Sequence, residues 1–162
     1  MFSDALSTLP PRPVTVLVAG GTISMTGESG ASPDLDADAL LKTVPDIVDL
    51  DGLSAETVIN VPSAHLTLSD QLNICRRARD TARRGNGVVV THGTDTLEET
   101  AMLCDVLHDA EAPIVFTGAI QPASNPGADG PANLLDAISV AAGGAASGMG
   151  VLVCFGGEIH HA

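Results

Sequence analysis

The sequence predicts an α/β fold, a mainly parallel, doubly wound sheet of the flavodoxin or Rossmann kind, and three observations predict it. Short apolar runs alternate with longer amphipathic stretches in a βαβαβαβαβ order, which suits a parallel sheet with right-handed crossovers. The hydrophobic share is 44% but the aromatic share only 2%, so Val, Ala, Leu and Ile must fill the core, as in strands buried on both faces. Two of the runs end in threonine-bearing loops, Gly20-Gly21-Thr22 and His92-Gly93-Thr94-Asp95-Thr96. Open α/β sheets bind ligands at the carboxyl edge, where both loops would emerge.

The elements follow in order along the chain. Strands are expected at Val14–Ala19, Thr57–Pro62, Gly87–Thr91, Pro113–Thr117 and Gly150–Phe155, with helices starting near Asp36, Leu68, Asp95 and Asp129. Asp36 is a candidate N-cap, Thr96-x-x-Glu99 has capping-box spacing, and Pro131 falls in a first helical turn. Gly85 and Gly143 stand where a left-handed residue after a helix is expected. Gly156-Gly157 reads as a hairpin turn, after which Glu158–Ala162 begins a strand cut in mid-element.

Two connections are long. Residues 20–35, rich in Gly, Ser and Thr, suit a mobile lid over Thr22, and residues 118–130 suit an ordered loop at the active edge. Residues 1–13 are expected to be a flexible N-terminal segment. Residues 14–162 are expected to be one α/β domain, truncated at its C-terminal end and without a second domain.

Charge narrows the partners. Twenty Asp+Glu against seven Lys+Arg give a formal net charge of −13, a field that repels nucleic acid and anionic membrane alike. Arg76, Arg77, Arg79, Arg83 and Arg84 cluster on one expected helix and read as its solvated face. Cys75, Cys104 and Cys154 have no paired spacing and lie in apolar segments, so they read as buried free thiols of a reducing, cytoplasmic compartment. The start lacks the pattern of a signal peptide, and no apolar run reaches the length of a membrane span.

The loops carry the chemistry. Gly20 and Gly21 let backbone approach a ligand closely and leave N–H groups for a carboxylate or an oxyanion, while Thr22 offers a hydroxyl. In the second loop Gly93 permits a tight turn and Thr94 adds another hydroxyl. Asp95 suits two roles, as an N-cap or as the holder of a substrate ammonium, and spacing leaves both open. Two hydroxyls and a carboxylate around one crevice suit attack on an acyl or amide carbon. His92 is expected to pack or bond backbone. Adjacent residues of a strand point to opposite faces, so His160-His161 does not read as a metal site.

In series, Gly20-Gly21-Thr22-Ile23, His92 to Thr100, Phe116-Thr117-Gly118-Ala119 and Ala128-Asp129-Gly130-Pro131-Ala132-Asn133-Leu134 resemble the bacterial-type L-asparaginases, over residues 14 to 162 and in the family's order. The resemblance covers that family's amino-terminal domain. It implies hydrolysis of asparagine to aspartate and ammonia, without metal or organic cofactor. It implies Thr22 as nucleophile, Thr94 as the second threonine that aligns water or relays a proton, and Asp95 on the α-ammonium. Ser63 would hold the α-carboxylate, Gly93 would line the substrate site, and Ala119 would lie near the leaving amide. It further implies a homo-oligomer in which a neighbouring subunit's second domain completes the site.

Three departures stand out. The family lysine belongs to a stretch beyond Ala162, and Lys42, the sole lysine, sits in the first helix. There is no tyrosine anywhere to support the nucleophile. Ala64 occupies a position that is often polar in the family. Weak or absent turnover by this chain alone is therefore expected. The alternatives are a glutaminase, an amidotransferase subunit, or an amino-acid-binding module that has lost turnover.

Overall fold

The computed structural model describes residues 12–25, 35–44 and 51–162. The expected flexible segment at residues 1–13 and the lid at residues 20–35 fall largely outside the described residues.

Six strands form one sheet: β1 (Val14–Val18), β2 (Leu53–Thr57), β3 (Gly87–Thr91), β4 (Ile114–Thr117), β5 (Val151–Phe155) and β6 (Glu158–His161). Their order across the sheet is β2-β1-β3-β4-β5-β6. All neighbours run parallel except the last pair, which is an antiparallel hairpin. The helices are α1 (Ala37–Leu41), α2 (Leu68–Ala82), α3 (Leu97–Leu107) and α4 (Gly130–Ala142).

Alternation along each strand divides the core into two layers. Val14, Val16, Val18, Val89 and Val115 point to one face, where they pack with Leu40 of α1 and with Leu134, Ala137 and Ile138 of α4. Leu17, Val88, Val90, Ile114 and Phe116 point to the other, where they meet Ile74, Cys75 and Ala78 of α2 and Ala101 and Cys104 of α3. The sheet is thus wound on both faces, and small residues let the helices lie close to it. All three cysteines are free and buried.

Several local expectations meet their physical test here. Asp36 caps α1, accepting from the Ala39 N–H over 2.8 Å. Pro131 sits in the first turn of α4, Gly85 is left-handed at φ +89°, and Gly156-Gly157 makes the hairpin turn. Arg77 in α2 and Arg83, its C-terminal cap, lie at the surface in ion pairs with Glu56 and Asp109.

Four expectations are corrected. The crossovers are not all right-handed. The connections β2–α2–β3, β3–α3–β4 and β4–α4–β5 step the same way across the sheet. Yet α4 packs on the opposite face from α2 and α3, so the last crossover has the opposite hand to the others. The second strand is Leu53–Thr57, not Thr57–Pro62. As an edge strand it is only half buried, whereas the apolar run after it leaves the sheet. There the N–H groups of Val58 and Ile59 both donate to the Val18 carbonyl, and the run packs as a loop. Thr96 heads α3, but its side chain makes no cap bond; the capping box belongs instead to Thr67 and Asp70 at the start of α2. Gly143 ends α4 with φ −73°, an ordinary extended residue rather than a left-handed one.

Candidate active site

The strand order determines where chemistry can occur. After β1 the chain crosses one face to β2 at the edge, and later strands build outward on the other side from β3. The carboxyl ends of β1 and β3 therefore flank the point where the winding reverses, the place where open sheets of order 2-1-3-4-5 bind ligands. The residues that follow those two strands are Gly20-Gly21-Thr22 and His92-Gly93-Thr94-Asp95.

These loops meet backbone to backbone. Gly21 has φ +85° and ψ 178°, a region open essentially to glycine alone. A Cβ on Gly21 would stand 2.4 Å from the Gly93 nitrogen, and one on Gly20 would stand 2.4 Å from the Val61 carbonyl oxygen. A Cβ on Gly93 would in turn stand 2.4 Å from Ser63 Oγ. Three loops from distant parts of the sequence are thus locked together, and each glycine is required by the approach of the next. Thr22, half buried at the head of a short 3-10 turn, follows directly after Gly21.

Ser63 links two of the loops by its side chain and carbonyl. Its Oγ, in a residue only 2% exposed, donates to Asp95 Oδ2 over 3.3 Å. Its carbonyl accepts the Thr96 hydroxyl over 3.1 Å. Thr96 is therefore engaged across the site rather than along its own helix. Asp95 precedes the cap residue of α3 and accepts no backbone N–H in the manner of a cap; it is exposed, and the Ser63 hydroxyl is its side-chain partner among the described residues. Thr94 is exposed beside it.

His92 lies beneath. It is fully buried, its Nδ1–H donates to the Gly93 carbonyl over 2.8 Å, and its ring lies tilted near Phe116. Burial pushes its pKa down, against a smaller opposing effect of the Gly93 carbonyl. A neutral imidazole with one nitrogen committed to backbone shapes the turn; it is not a base reaching solvent.

The fourth wall is the loop after β4. A Cβ on Gly118 would stand 2.6 Å from the His92 carbonyl oxygen, and one on Gly130 would stand 2.9 Å from Ile23 Cγ1 and 3.4 Å from Ala119 Cβ. Ala119, 1% exposed, is thereby fixed next to the segment bearing Thr22. The loop is held by Asp129, whose carboxylate accepts the N–H groups of Ile120 (3.0 Å) and Gln121 (2.8 Å). Burial acts to raise the Asp129 pKa, but these bonds and that of Asn133 outweigh it and hold the carboxyl below its ordinary range.

Asn133 completes the wall, and its role was not read from the sequence. Its Nδ2 donates to the Gly118 carbonyl (3.0 Å) and to Asp129 Oδ2 (3.1 Å), and its Oδ1 accepts the Gly156 N–H (3.0 Å). The available signal was a polar amide four residues after Asp129, on the otherwise apolar face of α4. The structure brings Thr22, Ser63, Gly93, Thr94, Asp95 and Ala119 to one edge.

Comparison with known proteins agrees with this geometry. The family model described as "Asparaginase, N-terminal" matches residues 13–162. A probable periplasmic L-asparaginase of Haemophilus influenzae is 35% identical over 151 residues, covering 90% of this chain and 43% of its own length. A glutaminase-asparaginase of Acinetobacter glutaminasificans is 34% identical over 154 residues, covering 90% of this chain and 46% of its own. The crystal structure of a probable cytoplasmic L-asparaginase from Campylobacter jejuni superposes with a TM-score of 0.83 at 33% identity, over 93% of this chain and 48% of that one. The chain thus spans less than half the length of the relatives it matches. With the family model matching from Pro13 to the last residue, the chain belongs to the asparaginase family, as its amino-terminal domain.

Proposed function

We propose that this domain carries the nucleophile of an L-asparagine amidohydrolase that works through a threonyl acyl-enzyme. The observation that carries the reading is the locking of the Thr22, Ser63 and Thr94–Asp95 loops into one edge through Gly21 and Gly93. Thr22 Oγ attacks the side-chain amide carbon; the C–N bond breaks, and the NH2 group leaves as ammonia with the proton given up by the hydroxyl. Water aligned by Thr94 then cleaves the ester, releasing aspartate and restoring the Thr22 hydroxyl. Asp95 holds the α-ammonium and Ser63 the α-carboxylate. The Thr94 N–H contributes to the oxyanion hole, and the Ala119 backbone lies by the leaving amide. No metal or organic cofactor takes part in this scheme.

Threonine is a weak nucleophile at neutral pH, and general acid–base assistance typically contributes about 10²–10⁴-fold. Lys42, the chain's only lysine, is the exposed C-terminal cap of α1. We therefore expect little turnover from this chain alone. The site is expected to be complete in a homo-oligomer, with a second domain contributing to it. The Campylobacter protein's name suggests a cytoplasmic setting, as do the buried free cysteines here, although the Haemophilus relative is named periplasmic.

Ammonia release from L-asparagine and L-glutamine, read beside L-aspartate binding at the Thr94 and Asp95 amides, tests the proposal. Glutamine is included because one relative is named a glutaminase-asparaginase. Saturable aspartate binding that Asp95→Ala abolishes, with ammonia near background, is the expected result. Turnover abolished by Thr22→Ala would support the nucleophile and refute the expected weakness. Turnover indifferent to Thr22→Ala, or no aspartate binding at this edge, would overturn the reading.

A further inference from the structure

At the opposite edge of the sheet a cavity of about 370 Å³ opens among Arg12, Arg83, Gly85, Asp109, Glu111 and Ser147. Its position follows from the topology. Arg12 lies just before β1, Gly85 just before β3 and Glu111 shortly before β4, so the cavity sits at the amino ends of the strands, away from the threonine loops. Its volume is within the range of small-molecule sites.

The charges lining it are unequal in state. Arg83 is satisfied, with its guanidinium paired to the Asp109 carboxylate through both Nε and Nη2. Arg12 has no carboxylate partner among the described residues. Its Nη2 donates to Ser147 Oγ, while its Nε–H is buried without an acceptor. A carboxylate entering the cavity would meet the charged guanidinium by a charge-assisted bond, roughly twice as strong as a neutral one. Glu111 likewise has no ion-pair partner among the described residues. The C-terminal ends of α2 and α3, whose dipoles present partial negative charge, also border the cavity.

This arrangement discriminates between ligand classes. A simple anion would meet Glu111, two helix C-termini and the field of a chain of net charge −13. A simple cation would meet Arg12. A molecule carrying both signs a few bonds apart is complementary to both. We propose that the cavity is a second binding site for a free α-amino acid, its carboxylate on Arg12 and Ser147 and its ammonium on Glu111. The site is separate from the hydrolytic edge and does not rest on the reading given for that edge.

The test uses L-alanine, which has no side-chain amide, beside propionate and ethylamine, which each keep one of its two charges. Backbone amide shifts of Gly85, Glu111 and Ser147 are followed by NMR during titration. Alanine is expected to saturate these shifts, with propionate and ethylamine roughly tenfold or more weaker, since each loses a charge-assisted hydrogen bond. Arg12→Gln and Glu111→Gln should each weaken alanine by a similar factor, and Asp95→Ala should leave it unchanged. If Arg12→Gln does not fold, Glu111→Gln carries the comparison. Absence of saturable shifts up to about 50 mM alanine, equal affinity for propionate, or binding indifferent to both variants overturns the proposal.

Discussion

Gly21 and Gly93, 72 positions apart in the chain, touch backbone to backbone: a Cβ on the first would stand 2.4 Å from the nitrogen of the second and 2.5 Å from its Cα. No rotamer change can relieve such a contact, because neither partner is a side chain. The approach is what sets the Thr22 and Thr94 loops side by side.

Gly21→Ala is therefore expected to combine two costs, a backbone conformation at φ +85° and ψ 178° that L residues avoid and a main-chain clash. Together these should exceed about 2 kcal/mol. Gly85→Ala is the control. Gly85 is also left-handed, at φ +89°, but nothing lies within 4 Å of an added Cβ, so its cost should stay near 1 kcal/mol. Urea unfolding of both variants checks the difference, and equal losses would refute a close-approach role for Gly21.

Asp129 should make the wall of the site sensitive to acid. The unfolded carboxyl titrates near 3.8, and the folded one is held lower by the bonds from Ile120, Gln121 and Asn133 acting against burial. Between the two values the unfolded chain binds the proton and the folded chain does not. The contribution is thus complete above the ordinary value and is lost as pH falls through the folded pKa. The Ile120 and Gln121 amide resonances should move together in this acid range and be insensitive to pH near neutrality. Asp129→Ala should shift both at any pH and cost about 1–2 kcal/mol.

His92 gives a second pH dependence of the same direction at a higher range. Its buried imidazole titrates below the ordinary 6.5, so lowering pH past that value protonates the unfolded chain first. Stability is complete above about 6.5 and declines as pH falls toward the folded pKa. His108, whose pKa burial also lowers, adds to the same slope. His92→Asn keeps a side-chain N–H for the Gly93 carbonyl and removes the titration. Its unfolding free energy should vary less between pH 7 and 5 than that of the parent, with the His108 share remaining. An unchanged slope would show that His92 does not titrate on unfolding.

What was legible in the sequence, and what was not, divides along physical lines. β1, β3, β4 and β5 were legible because strands buried on both faces are written as unbroken runs such as Val88-Val89-Val90. β2 was not, because an edge strand needs little apolar surface: Leu53-Ser54-Ala55-Glu56-Thr57 reads as a loop, while the apolar Val58-Ile59 that drew attention serves as a loop packed under the sheet. Thr22, Thr94 and Asp95 stand in short local patterns and could be singled out. The bond from Ser63 to Asp95 and the engagement of Thr96 by the Ser63 carbonyl depend on which loops the strand order makes neighbours. No local spacing encodes that, so Thr96 looked like a capping residue.

Asn133 ties together the most distant parts of the site, and its replacement is the most demanding of these predictions. One side chain, 3% exposed, serves the Gly118 carbonyl, the Asp129 carboxylate and the Gly156 N–H, which lie on the loop after β4, at the start of α4 and in the hairpin after β5. Asn133→Ala strips partners from these groups and opens a small void, and each unsatisfied group costs about 1–3 kcal/mol unless water enters. A loss of roughly 2–4 kcal/mol is expected. Asn133→Asp separates shape from bonding. The isosteric carboxylate keeps an acceptor for Gly156 but loses both donors and places negative charge against Asp129. It should be at least as destabilising as alanine near neutral pH and should recover part of the loss below about pH 4, where the carboxyls protonate. Urea unfolding of both variants at pH 7 and at about pH 3 checks this. If Asn133→Asp matches the parent at pH 7, the two Nδ2 bonds do not hold the wall in place.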